Sequence, residues 1–364
     1  MSRGIYHMPD LLLFAAALLL VSLGLVMVYS ASFVMALAET GDPLYYLKRQ
    51  MIGMTLGTIA MLVIMQIDYR IYQRVAILGV AVAYGLLAAV LVVGAEISGS
   101  RRWVDLGVFN LQPSEVSKLA LVNFIAAFAA SRPQAMKSLW KGLLPPLVVT
   151  AGFFGLVLLE PDFGTGVSMV GTAMVMLFAC GARISHLVIL TLLSIPLLGV
   201  LIWLEPYRLE RILSFLDPWA DPMNTGWNII QSLLAIGSGG LFGLGLGSSR
   251  QKFFYLPEQH TDFIFAIIAE ELGFLGSLAV LCLFFLLAWR GFRVAMRAPD
   301  LFGSYLAVGI TSMIVVQAVL NIGVVSGVLP VTGVTLPFIS FGSSSLVVNL
   351  AGVGVLLNIS RRTR

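Results

Sequence analysis

Between positions 250 and 262 the chain brings together two cations and three groups able to exchange a proton: Arg250, Lys252, Glu258, His260 and Asp262. A carboxylate among cations is what a base acting on a phosphate-bearing substrate needs. Asp262 also stands where an apolar helix is predicted to begin. The dipole at a helix N-terminus favours a carboxylate there, so capping competes with catalysis as its role.

Other polar segments interrupt an otherwise apolar chain. One runs Gly99-Ser100-Arg101-Arg102-Trp103-Val104-Asp105-Leu106-Gly107 and leads into Gln112-Pro113-Ser114-Glu115-Val116-Ser117-Lys118. Ser114 is placed to cap a helix, with Glu115 in its first turn and Lys118 one turn on. Arg101, Arg102 and Lys118 either form an interfacial belt with an intrahelical ion pair or present cations to an anionic headgroup. In Glu160-Pro161-Asp162-Phe163-Gly164-Thr165-Gly166, two acids flank a tight turn, and Asp162 is expected to cap the following helix. Arg208 and Arg211 add cations before Asp217-Pro218-Trp219. Glu270 and Glu271 lie about 12 Å below Asp262 at 1.5 Å per residue, and either pair structurally or line a polar cavity. The segment from Leu329 to Ser345 is uncharged and rich in turn formers and hydroxyls. Such backbone survives near a membrane only where protein buries it or it lines a wet cavity.

Several chemistries are not indicated. His7, His186 and His260 are far apart and show no zinc spacing. Cys180 and Cys282 sit in apolar segments as small core residues. The glycine run from Gly237 to Gly247 follows no strand and lacks a phosphate-loop lysine, so it reads as a turn that permits close packing. The net charge of +4 is no nucleic-acid footprint.

The elements that must position these residues are membrane helices. The chain has 364 residues, 59% hydrophobic and 11% charged, and a soluble domain carries about twice that charge. Apolar segments near 11–32, 49–67, 72–94, 114–130, 142–159, 163–181, 184–203, 263–290, 303–326 and 340–359 each approach the length a spanning helix needs. The expected class is therefore all-α, a single polytopic domain over 1–364 with about ten transmembrane helices. The first span is too long for a signal-peptide core and is expected to be retained. Basic residues from Arg3 through Arg70, Arg74, Arg183 and Arg290 to Arg364 fall on one side, with only Asp10, Asp68 and Asp300 as acids there. The positive-inside rule then places both termini in the cytoplasm and the long loop, 204–262, outside, between helices 7 and 8. Amphipathic pieces at 207–216 and 227–236 within it are suited to the interface. No internal repeat is visible, unlike many secondary transporters.

With these elements in place, the chain resembles the SEDS family (shape, elongation, division and sporulation). The resemblance rests on Pro330-Val331-Thr332-Gly333 and Leu336-Pro337-Phe338-Ile339-Ser340, on Arg102-Trp103 and Gln112-Pro113-Ser114-Glu115, on Pro161-Asp162-Phe163-Gly164-Thr165, and on His260-Thr261-Asp262-Phe263-Ile264-Phe265. One departure stands at Ser343, where the family usually has a second glycine. The stretches around Arg208–Trp219 and Gln251–Glu258 resemble the division and sporulation branch (FtsW, SpoVE) more than the elongation branch. The resemblance implies a ten-helix fold in the bacterial cytoplasmic membrane and an extracytoplasmic glycosyltransferase that polymerises lipid II. It also implies a class B penicillin-binding protein as crosslinking partner. The family's essential loop aspartate falls on Asp262 as an inverting general base. Arg101, Arg102, Glu115, Lys118, Arg208, Arg211, Arg250, Lys252 and Ser340 are the expected substrate-binding residues, and a divalent cation, Mg or Mn, is compatible with a pyrophosphate leaving group. A lipid II flippase without chemistry and a non-catalytic scaffold are the rival readings.

Overall fold

A computed structural model describes residues 8–97, 100–105, 107 and 109–362. Arg3, His7, Gly99, Leu106 and Arg364, named above, lie outside the described residues. The first apolar segment forms α1 (Leu11–Thr40), longer than its hydropathy predicts. Asp10 caps its start by accepting from Leu13 N, and Gly41 ends it in a left-handed conformation. Then come α2 (Tyr45–Ile64), a short α3 (Arg70–Arg74) and α4 (Ala76–Val93).

A three-stranded antiparallel patch follows, β1 (Ala95–Ile97), β2 (Ser100–Asp105) and β3 (Asn110–Leu111). The hydropathy reading contains no strand here; a short polar segment of this kind leaves no periodic signal. Next come α5 (Pro113–Ser131), α6 (Leu144–Leu159), α7 (Phe163–Ala179) and α8 (Ile184–Trp203). The long loop carries α9 (Pro206–Leu216) and α10 (Trp227–Ser238), matching the two amphipathic pieces. Helices α11 (Ile264–Arg297), α12 (Leu301–Val325) and α13 (Ser343–Ser360) complete the bundle.

Among the described residues nine helices are long and apolar enough to cross a membrane, and α7 is a tenth, shorter apolar helix. The polytopic all-α fold is thus as expected. At the end of the bundle where the chain starts and finishes, the acids Asp10, Asp68 and Asp300 pair with Arg290, Arg362 and Arg70 at 2.6, 2.7 and 3.1 Å. Asp262 lies at the opposite end.

The eighth span differs from expectation. Helix α11 is broken at Gly273, whose φ of 69° and ψ of −164° are not helical. The glycine run docks there and satisfies the freed backbone groups. Leu244 N and Gly245 N donate to the Glu270 and Glu271 carbonyls at 2.9 and 3.0 Å, and Phe274 N donates to Gly240 O at 2.8 Å. Irregular backbone inside a membrane protein needs this internal pairing. The run is glycine because the backbones touch: a Cβ on Gly243, at φ +80°, would stand 2.1 Å from Glu271 O. Gly243→Ala is therefore expected to destabilise by about 1–3 kcal/mol. Gly237→Ala, which meets nothing within 4 Å, should be near neutral. Thermal unfolding in detergent compares the two.

Candidate active site

Asp262 is held by its backbone. The carbonyls of His260, Thr261 and Asp262 each accept one hydrogen bond from a different donor: Phe341 N at 2.9 Å, Ser340 Oγ at 2.6 Å and Asn321 Nδ2 at 2.7 Å. The turn itself is tight. Glu258 adopts φ 52°, and its carbonyl accepts from both Thr261 N and Phe263 N at 3.2 Å. The buried His260 ring packs against Tyr46 and Phe341 at 4.4 and 5.6 Å between centroids, and burial lowers its pKa.

Capping does not account for Asp262. Helix α11 begins at Ile264 with Phe263 in the cap position and no side-chain cap hydrogen bond. The Asp262 carboxylate has no hydrogen-bond or ion-pair partner among the described residues. It is half-buried and faces Gly333, where a Cβ would come within 3.6 Å of Oδ2. Burial pushes its pKa up to about 7; Glu258 and Asp162 add to the rise, while Arg211 and Arg102 oppose it. Those two arginines are thus the cations that act on Asp262. Arg102 is fastened by its guanidinium to the Glu160 and Pro161 carbonyls, and Arg211 reaches Val331 O at 3.5 Å.

The remaining expected residues divide. Lys118 and Glu115 form a buried ion pair at 2.9 Å. Lys118 Nζ also donates to Gln317 Oε1, and Gln317 Nε2 passes the connection to Thr335 O at 3.0 Å. Lys252 is fully buried, 3.0 Å from Glu271 and 2.6 Å from Gly247 O, with its ammonium 5.0 Å from the Phe33 ring. Both Lys252 and Lys118 thus direct their ammonium groups to protein partners in this structure. Ser340 is buried too, donating to Thr261 O and accepting from Leu336 N; it holds the turn rather than substrate. Arg208 donates to Leu201 O and lies over the Phe163 ring. Arg101 and Arg250 are exposed.

Glu270 and Glu271 pair structurally. Glu270 accepts from Ser249 Oγ and Arg250 N, and Glu271 from Ser30 Oγ and Lys252. Asp162 caps α7 by accepting from Thr165 N at 3.1 Å. Ser114 is not the cap of α5: Gln112 holds that position and Pro113 opens the helix, where a missing N–H does no harm. Ser343 fits its turn by donating to Arg49 O at 3.1 Å, and the left-handed residues of this segment are Gly333 at φ 74° and Phe338 at φ 66°.

Hydropathy gave no warning of Asn321 and Gln317, although an amide inside an apolar span is itself a signal. Buried oxygens without a hydrogen-bond partner occur on the same elements: Glu115 Oε2, both Glu160 carboxylate oxygens, Asn321 Oδ1 and Thr332 Oγ1. Unpaired buried acceptors of this kind call for a functional explanation. Among the described residues no three His, Cys, Asp or Glu side chains gather as a metal ligand set.

Burial also pushes Glu160 up to about 8, with Asp162 adding and Arg102 opposing. A carboxyl raised in the fold contributes stability that is present below its ordinary pKa near 4.5 and lost as pH rises through about 8. Glu160→Gln is expected to remove that decline, on the order of a few kcal/mol. Unfolding midpoints of both proteins at pH 5 and pH 8.5 would show it; parallel slopes would contradict it.

Residues 10–364 match the sequence profile of the family described as "Cell cycle protein" (FtsW, RodA, SpoVE). The chain is 51% identical over 358 residues to stage V sporulation protein E of Bacillus subtilis (strain 168), covering 98% of both chains. It is 44% identical over 353 residues to a probable peptidoglycan glycosyltransferase FtsW of Trichlorobacter lovleyi, covering 96% of this chain and 93% of the relative. Two solved structures share the fold. A chain from a study of structural coordination of polymerization and crosslinking by a peptidoglycan synthase complex superposes with a TM-score of 0.79 at 33% identity, covering 97% of this chain and 98% of the other. The rod shape determining protein RodA of Thermus thermophilus does so with a TM-score of 0.72 at 32% identity, covering 97% of each. With a family profile that covers all but its first residues and relatives matched end to end, the chain belongs to the FtsW/RodA/SpoVE family of cell cycle proteins.

Proposed function

We propose that this protein is a peptidoglycan glycosyltransferase that polymerises lipid II on the outer face of the bacterial cytoplasmic membrane, with Asp262 as general base. The observation that carries the reading is the Asp262 carboxylate: unpaired among the described residues, set on a backbone pinned at three successive carbonyls, and pushed up to about 7 by burial against the opposing effect of Arg211 and Arg102. A base is most effective when its pKa lies near the working pH. The names of the relatives support the same activity. The positive-inside bias supports placing Asp262 outside, since the Arg290, Arg293 and Arg297 face stands at the opposite end.

In the reaction, Asp262 takes the proton from the sugar 4-hydroxyl of one lipid II as that oxygen attacks the anomeric carbon of the donor sugar. The bond from that carbon to the polyprenyl pyrophosphate breaks, its electron pair leaves with the phosphate, and the configuration inverts. Arg102 and Arg211 stabilise the negative charge on the leaving group. Arg101, Arg208 and Arg250 are further cations for the pyrophosphate in this reading. Apolar helix faces such as α8, exposed along most of its length, accommodate the polyprenyl tails. A class B penicillin-binding protein supplies the crosslinks, and the single domain spans the whole chain.

The test is polymerisation by the purified full chain, reconstituted with lipid II in the presence and absence of a class B penicillin-binding protein. Glycan strands are expected from wild type and not from Asp262→Ala. Lipid translocation without polymer would instead make the protein a flippase.

A further inference from the structure

We infer that Gln317 and Asn321, two amides one turn apart on α12, are positioning residues that set the place of Asp262. The inference rests on the reading of Asp262 as the base. Asn321 Nδ2 donates at 2.7 Å to both Asp262 O and Val334 O, so one amide nitrogen clasps the aspartate's backbone to the 330–341 segment. Gln317 Nε2 donates to the next carbonyl, Thr335 O, at 3.0 Å and to Thr335 Oγ1 at 3.2 Å. The two amides thus hold consecutive carbonyls of one irregular strip.

That strip forms the opposite wall. Gly333, beside Val334, faces the Asp262 carboxylate, and Ser340 and Phe341 at its far end hold Thr261 and His260. Gln317 is itself oriented from behind, because Lys118 Nζ occupies its Oε1 and leaves both Nε2 hydrogens for Thr335. In the chain Glu115–Lys118–Gln317–Thr335, the members on α5 and α12 are buried and Thr335 is half-buried. It gives Lys118 and Glu115 a function without substrate contact: they fix the amide that fixes the strip.

An NH2 group suits this task. It offers two hydrogens from one neutral atom, so it bridges two carbonyls at membrane depth without burying a charge. Removing it frees the Asp262 carbonyl while leaving the carboxylate chemically intact.

The experiment compares wild type, Asn321→Ala, Asn321→Ser and Asp262→Asn as full-length proteins with lipid II, measuring kcat, KM, the pH–rate profile and the folded fraction. Asn321→Ala is expected to lower kcat by about tenfold to 10²-fold, the effect of a misplaced group, with KM changed by no more than about twofold. Its acidic limb should fall below that of wild type, because an untethered carboxylate moves away from Glu258 and Asp162 towards water and loses the burial that raises it. Arg102 and Arg211 face it in both proteins. A merely structural role would lower the rate in step with the folded fraction and leave the limb where it is; that result, or a wild-type kcat in folded protein, overturns the inference. Should Asn321→Ala fail to fold, Asn321→Ser, which keeps one donor, decides by the same limb. An active Asp262→Asn protein would sink the underlying reading instead, whereas an inactive one beside a normal Asn321→Ala sinks this inference alone.

Discussion

Asp262→Asn is expected to polymerise lipid II about 10²–10⁴-fold more slowly than wild type while remaining folded. That range is what a well-placed general base contributes. The substitution is nearly isosteric, and the backbone bonds that hold position 262 come from Asn321, Ser340 and Phe341, so none is lost. Folding should even gain slightly at neutral pH, because an amide carries no charge to desolvate. The wild-type rate should rise with pH through about 7, the value to which burial and the neighbouring acids push Asp262. Arg102→Gln and Arg211→Gln remove the opposing charges and should shift that limb upward, which Lys252→Gln should not do. Polymer yield across pH 5 to 9 measures all of these. An Asp262→Asn enzyme with wild-type rate would eliminate the base.

Lys252→Met is the second large effect, this time on stability. Lys252 and Glu271 are both fully buried, 3.0 Å apart. Removing one partner strands the other charge where water cannot reach it, and breaking a buried pair in this way costs about 3–5 kcal/mol. The pair also holds the 247–252 stretch against α11: Lys252 reaches Gly247 O, while Glu271 accepts from Ser249 N and Ser30 Oγ. The docking of the glycine run on the Gly273 break depends on the same contacts. The double substitution Lys252→Met with Glu271→Gln leaves no stranded charge and should recover most of the loss. Unfolding midpoints of the two single variants and the double variant close the cycle; additive losses would show that the two side chains act independently.

Asp162 acts electrostatically on both Glu160 and Asp262. Asp162 is fastened by capping α7 and by Gln112 Nε2 at 3.3 Å. The Glu160 carboxyl has no hydrogen-bond partner among the described residues and stays protonated near neutral pH, since burial pushes it up to about 8. Asp262, pushed up to about 7, changes its charge near neutral pH.

The sequence by itself determined the membrane class, the number of apolar helices and the ends of the bundle at which the charges gather. These depend on local composition: about 20 apolar residues span a bilayer wherever they occur, and Asp10, Asp68 and Asp300 met the arginines expected near them. Motif resemblance singled out Asp262, which composition and helix-end physics had left as readily a cap. Only the tertiary structure decided which cations face it. Arg102, distant along the chain, acts on Asp262, whereas Lys252, near it in sequence, turns into the bundle to meet Glu271. The break in α11 was equally invisible, because Gly273 interrupts an apolar run without changing its hydropathy; the run opens there only because Gly240–Gly245 supply partners for its backbone. The bonds that set Asp262 in place join residues 59 positions apart on α12 and 79 apart at Ser340. Hydropathy and helical periodicity report on neighbours within a few turns, and the choice of partner across such separations is made by packing.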